Sequence, residues 1–191
     1  MEEKFLPNFF IIGAQKSGTS TLHAILKNTD IVSLPKNKET HYFSYFAKKK
    51  KKYSWYQEQF FIKKNHQLIG EVDPSYMYMD NTAENIKKVV KNPKIIIILR
   101  KPIDRALSHY LMSFRRGIEK DSFIEAISHE SKRLEDRKEF NLKNFSYLDR
   151  GNYSFQIKRY QKIFKSSSFL FLRFDDLLKK ESKKKLILSL F

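Results

Sequence analysis

"GAQKSGTSTL", residues 13–22, has the glycine spacing of a phosphate-binding loop but not its lysine. A Walker loop runs Gly, four residues, Gly, Lys, then Ser or Thr. Gly13 and Gly18 keep that spacing, but Thr19 and Ser20 follow the second glycine and the lysine stands inside the loop at Lys16. The preceding "NFFII" (8–12) reads as a short buried strand, and Leu22, Ile25 and Leu26 recur at helical spacing after the loop. The motif therefore lies between a strand and a helix N-terminus, where backbone N–H groups can hold an anion whatever the side chains do.

Further along, "IVSLP" (31–35) reads as a second short strand ended by proline. A lysine-rich loop at 48–52 and a short helix within "YSWYQEQFF" (53–61) follow, then a third strand in "QLIGEVDP" (67–74). A helix near 81–91 leads into "KIIIILR" (94–100), whose unbroken aliphatic run suits a strand covered on both faces. Pro102 is an acceptable first residue for the next helix, residues 121–138 and 152–165 read as helices, and "SFLFLRF" (168–174) is a last strand. Strands alternating with helices predict an α/β, P-loop NTPase-like three-layer fold with a mostly parallel central sheet flanked by helices. No repeat or Pro/Gly/Ser-rich linker divides the chain, so a single domain over 1–191 is expected. The apolar "KKLILSLF" (184–191) has no C-cap and is read as the end of a truncated domain, or as a final helix docked hard against the body.

The chain has 191 residues with 41% hydrophobic and 15% aromatic content, enough for a folded core and too apolar for disorder. It has no cysteine, which excludes a disulfide scaffold and thiolate metal sites. The longest aliphatic run, "IIIIL" (95–99), falls far short of the roughly 18–20 residues of a membrane span. "MEEKFLPNFF" lacks the basic start of a signal peptide, so a soluble, cytoplasmic protein is the expectation. The formal net charge is +17. Such a charge permits a polyanionic partner without naming one, since the lysine runs at 48–52 and 179–185 read equally as solvated surface.

An Mg·ATP site needs the lysine after the second glycine, a hydroxyl on the metal and an acid closing a later aliphatic strand. Here the strand "IIIIL" runs into Arg100, a cation where that acid is expected. The pattern points to a metal-free anionic ligand, with one phosphate at the loop and another near Arg100.

"GAQKSGTSTL", "KETHYF" (38–43), "GEVDPSYMY" (70–78) and "LRKPIDRALSHYL" (99–111) together resemble the sulfotransferases that use 3′-phosphoadenylyl sulfate (PAPS), the heparan-sulfate-type and related bacterial carbohydrate enzymes above all. The resemblance covers about residues 8–175. It implies that Lys16, Ser17, Gly18, Thr19 and Ser20 wrap the 5′-phosphosulfate, with Lys16 at the oxygen where charge develops as the bond breaks. It implies that Arg100 and Ser108 hold the 3′-phosphate, a role for which a guanidinium is suited. Glu39 matches the general base that takes the acceptor's proton, and His41 is a substrate contact or reserve base. The co-substrate implied is PAPS with no metal. The partner implied is a carbohydrate or other small acceptor, acidic or neutral, and neither nucleic acid nor membrane.

Plainer readings stand beside these: an ordinary loop lysine at Lys16, an Arg100–Asp104 ion pair, and Glu39 paired with Lys36 or Lys38. Val72 stands where some family members carry a lysine, and the family's basic closing loop is expected beyond Phe191. A truncated, non-catalytic relative that keeps nucleotide or polyanion affinity is the alternative function. A metal-dependent kinase is a further rival, against which Arg100 and the displaced lysine argue.

Overall fold

The computed structural model describes residues 5–46, 52–62, 65 and 67–177. The lysine runs, apart from Lys52, and the apolar 184–191 stretch lie outside the described residues. In chain order the elements are β1 (Phe9–Gly13), α1 (Thr19–Lys27), β2 (Val32–Ser33), a π-helical turn (Tyr42–Phe46), α2 (Tyr53–Gln57), β3 (Leu68–Val72), α3 (Ser75–Tyr78) and α4 (Thr82–Val89). Then come β4 (Lys94–Leu99), α5 (Pro102–Arg115), α6 (Phe123–Leu134), α7 (Glu139–Asn144), α8 (Tyr153–Gln161), β5 (Phe169–Arg173) and α9 (Phe174–Leu177).

The five strands form one sheet in the order β2-β3-β1-β4-β5, and every strand pairing is parallel. Period-two alternation explains why β1 and the Ile95–Leu99 run of β4 are apolar, since both of their faces are covered. Phe10, Ile12, Ile95 and Ile97 pack with Tyr56, Tyr76, Ile86 and Tyr160 on one face. Phe9, Ile11, Ile96 and Ile98 pack with Leu22, Leu26 and Leu177 on the other. The expected helix–sheet–helix layering is what the chain adopts. Among the described residues no helix is long and apolar enough to cross a membrane.

Some boundaries differ from the sequence reading. The strand expected over 31–35 shrinks to Val32–Ser33, because Pro35 leaves the ladder to bridge Phe60 in antiparallel sense. The helix expected over 121–138 stops at Leu134, and Arg137 turns into the left-handed region at φ 47 before α7 begins. Its start is firm, because Ser122 and Glu125 form a reciprocal capping box. α5 is anchored by a polar stripe on its buried face. Arg105 and Ser113 donate to the carbonyls of Tyr147 and Asn144, and His109 Nε2 lies 3.1 Å from that of Lys143.

The segment that matters most for the site is the end of β3. Glu71 and Asp73, two residues apart, are both fully buried. Glu71 Oε1 accepts from the Thr40 amide at 2.7 Å, and Oε2 accepts from the hydroxyls of Tyr56 at 3.0 Å and Tyr76 at 2.8 Å. Asp73 accepts from the His41 amide and the Ser75 amide, each at 2.9 Å. The 39–41 loop is thus pinned by two successive amides, and the residues around those bonds, Glu39 (φ 68) and His41 (φ 55), both sit in the left-handed region. That conformation costs a non-glycine residue on the order of 1–3 kcal/mol and persists only when its surroundings over-determine it. Two buried carboxylates supply that constraint here.

Burial, then the neighbouring Asp73 charge, pushes the Glu71 carboxyl up to about 7 from an ordinary 4.5, against the bonds from Thr40 and Tyr76. A raised acid favours folding most below its unfolded pKa, so its contribution falls as pH rises from about 4.5 to 7 and is level above. The fall should be on the order of a few kcal/mol. Urea melts of the wild type and Glu71→Gln across this window should diverge, the variant lacking this decline; parallel pH profiles would show that Glu71 is ionised throughout. His41, whose pKa is raised, loses its own contribution at higher pH in both proteins. A second expectation concerns Gly70, where a Cβ would meet the buried Phe9 ring at 2.5 Å. Gly70→Ala should cost about 1–3 kcal/mol by overpacking, read as a lower Tm; an unchanged Tm would mean that the ring moves aside freely.

Candidate active site

The loop after β1 is built from backbone bonds: the Ala14 amide donates to Ile98 at 2.8 Å and the Ser17 amide to Ala14 at 3.1 Å. Lys16 (φ 67) and Gly18 (φ 90) take left-handed conformations, and a Cβ on Gly18 would meet Leu177 at 3.0 Å and Phe174 at 3.1 Å. Only glycine satisfies both the turn and that close approach of α9. Ser17 and Thr19 are buried and Ser20 is exposed at the start of α1, whose first turn has no side-chain cap.

Arg100, at the end of β4, donates from Nη1 to the Lys16 carbonyl at 3.2 Å and stacks its guanidinium on Phe174 at 4.5 Å. Its Nε is buried without a hydrogen-bond partner among the described residues. Among the described residues no ion pair joins Arg100 to Asp104, although both line the same cleft. Arg100, Lys16 and Ser108 line this cleft of ≈ 480 Å³, together with Asp104, Arg115 and Arg116 and an apolar wall of Leu107, Leu111 and Met112. On α5 the lining positions recur at helical spacing, so one face of this helix forms the wall.

Four cations and one acid make the cleft strongly electropositive. Burial lowers the pKa of the Lys16 amine, followed by the charges of Arg116, Arg100, Arg115 and Lys38. An anion in the cleft would relieve each of these repulsions. Arg115 and Arg116 escaped the sequence reading; their signal was the "FRRG" stop of α5, where Gly117 turns the chain at φ 67. Tyr153 was also missed, and its hydroxyl donates to the Arg100 carbonyl at 3.0 Å.

Glu39 and His41 stand on the neighbouring 39–41 loop and do not line this cleft. Glu39 is paired with Lys38, as its plainer reading anticipated, and Lys38 lies close enough to act on Lys16. His41 Nδ1 lies 2.8 Å from Asp73 Oδ2, at ion-pair distance although not aligned as a hydrogen bond. Burial opposes the charged imidazole, but the Asp73 contact and the charges of Asp73 and Glu39 raise its pKa. Across α1 a second cavity of ≈ 420 Å³ is lined by His23, Lys27, Ser33, Lys36 and Phe61 among others, and His23 feels both Lys38 and Glu39.

Sequence reasoning looked for a strand-ending acid after β4. Such an acid follows β3, on the other side of β1, but both oxygens of this Asp73 accept from backbone amides. Among the described residues no three His, Cys, Asp or Glu side chains converge as metal ligands.

A family model described as a sulfotransferase domain matches residues 6–186. The crystal structure of a sulfotransferase from Alicyclobacillus acidocaldarius superposes with a TM-score of 0.86 at 27% identity, covering 98% of this chain and 81% of that one. The membrane-associated sulfotransferase kil1 of Dictyostelium discoideum is 40% identical over 111 residues, 58% of this chain and 24% of that protein. Heparan sulfate glucosamine 3-O-sulfotransferase 5 of Mus musculus is 31% identical over 105 residues, 55% of this chain and 30% of that protein. The chain therefore spans less than a third of the length of these two curated relatives. With a lysine-bearing loop facing an arginine and a serine across one cleft, and a domain match over nearly its whole length, the chain belongs to the sulfotransferase family.

Proposed function

We propose that this protein transfers a sulfuryl group from PAPS to a hydroxyl or amine of a carbohydrate-like acceptor, without a metal. The observation that carries the reading is the convergence of Lys16, Arg100 and Ser108 on one electropositive cleft, with a buried Arg100 Nε awaiting an acceptor. A doubly phosphorylated nucleotide fits that donor set, because a guanidinium and a hydroxyl suit one phosphate while the loop amides and Lys16 suit the other.

In this reading the acceptor oxygen or nitrogen forms a bond to sulfur as the bond from sulfur to the bridging oxygen breaks. The electron pair stays on that oxygen, and adenosine 3′,5′-bisphosphate leaves. Lys16 stabilises the charge that develops there, and positioning supplies much of the remaining acceleration. Glu39 exchanges its Lys38 partner for the acceptor's proton, and His41 beside it binds the acceptor or takes that role in reserve. The acceptor approaches from the side of the 39–41 loop. The relatives named for heparan sulfate support a carbohydrate there.

Calorimetric titration tests the donor side. Adenosine 3′,5′-bisphosphate should bind more tightly than adenosine 5′-monophosphate, with or without EDTA. Arg100→Ala should weaken the bisphosphate by roughly ten- to a hundred-fold, the cost of one charged hydrogen-bonding partner, and leave the monophosphate nearly unchanged. Equal affinities in the wild type would remove the 3′-phosphate assignment. On the acceptor side, Glu39→Gln should slow turnover of labelled donor by about 10²–10⁴-fold with nucleotide affinity intact; near-normal turnover would move the base to His41.

A further inference from the structure

We propose that Glu71 is a positioning residue for transfer, holding the 39–41 loop through the Thr40 amide so that Glu39 faces the acceptor, and that it must be ionised to do so. The inference rests on the sulfuryl-transfer reading above. Its geometric basis is a donor count. Among the described residues three donors point at Glu71, the Thr40 amide at 2.7 Å and the Tyr76 and Tyr56 hydroxyls at 2.8 and 3.0 Å, and the Thr40 hydroxyl beside them also favours the charged form. A carboxylate accepts from all three, whereas a carboxylic acid has a proton of its own to donate.

Protonation would therefore re-route the network. The new O–H must donate to a tyrosine oxygen, and where that is the nearer Tyr76, its hydroxyl turns its own proton toward Thr40 Oγ1, 3.3 Å away. That same Thr40 oxygen accepts from the Tyr42 amide at 3.2 Å, so the change reaches the backbone on the far side of the loop. The groups facing Glu71 are Asp73 just past the end of its strand, Tyr56 on α2, Tyr76 on α3, and Thr40 in the loop, with His41 held against Asp73 and the buried Arg150 near enough to feel its charge. Both tyrosines are held protonated by burial, His41 is ion-paired, and Glu71 is pushed up toward neutrality. Glu71 and His41, the latter raised above its ordinary 6.5, are thus the groups in this set placed to change charge near pH 7, and Glu71→Gln removes the first of them.

Glu71→Gln keeps an oxygen for the Thr40 amide and places an N–H₂ where the acid's proton would be, so it mimics the protonated state at every pH. At pH 8 the variant should melt at or above the wild-type temperature and bind adenosine 3′,5′-bisphosphate equally well. It should nevertheless turn over roughly 10- to 100-fold more slowly in kcat, the scale of a small misplacement of reacting groups. The wild-type kcat should rise with pH through a limb near 7 that the variant lacks. A merely structural residue would lose stability along with rate. Turnover within twofold of wild type, with the same pH limb, would overturn the proposal. If the wild type transfers nothing, the functional reading fails and the hold is read directly by amide hydrogen exchange. Protection of the Thr40 amide should then drop at least tenfold in Glu71→Ala, on the scale of one lost charge-assisted bond, and unchanged protection would overturn the inference.

Discussion

The site depends on two carboxylates buried at the end of one strand. Among the described residues neither Glu71 nor Asp73 forms an ion pair with a lysine or arginine; both are held by amides and hydroxyls, with His41 at ion-pair distance from Asp73 and the buried Arg150 near enough to feel its charge. A buried, weakly compensated charge is expensive, which makes such groups poor sources of stability. They do fix direction: each oxygen accepts along a defined line, and the lines converge on Thr40 and His41. The 39–41 backbone then adopts a conformation that its side chains alone would reject. The loop that carries Glu39 is bonded to the end of β3, and β3 pairs with the doubly covered β1.

The α5 wall of the cleft follows a different principle. α5 is two-faced, with Arg105, His109 and Ser113 turned to backbone carbonyls and Ser108, Met112 and Arg115 turned to the cleft. Burial, then the charges of Arg150 and Arg105, keeps His109 well below its usual pKa, so it stays neutral as a hydrogen-bonding strut. The struts fix the register of the helix, and the register decides which side chains meet Lys16. In the cleft four cations, Lys16, Arg100, Arg115 and Arg116, face one acid, Asp104. Anion binding and preorganisation are in this sense one property, since the repulsion that lowers the Lys16 pKa is what a bound anion relieves.

Much of this was legible from residue pattern. The Gly13–Gly18 spacing between an apolar strand and a helical repeat located the loop, and the isoleucine run of β4 located the centre of the sheet. Arg100 at the end of that run gave the cleft its sign. What could not be read depends on long-range contact. In sequence Glu71 and Asp73 are two acids in a strand, and only the packing of Tyr56 and Tyr76 over them shows that they are dry. The pairing of Lys38 with Glu39 depends on loop geometry, and Arg116 matters because α5 is long enough to carry it back to Lys16. The early stop of α6 at Leu134 and the two-residue β2 reflect local competition, a left-handed Arg137 and the Pro35 bridge, that periodicity does not resolve.

The most direct test of the account is a crystal structure of the protein with adenosine 3′,5′-bisphosphate. The account predicts one nucleotide in the cleft, its 3′-phosphate within hydrogen-bonding distance of Arg100 and Ser108 and its 5′-phosphate on the amides of the Lys16–Ser20 loop. The Thr40–Glu71 and His41–Asp73 bonds should be unchanged. A nucleotide bound elsewhere, or one lying in the cleft with its 3′-phosphate away from Arg100, would contradict it.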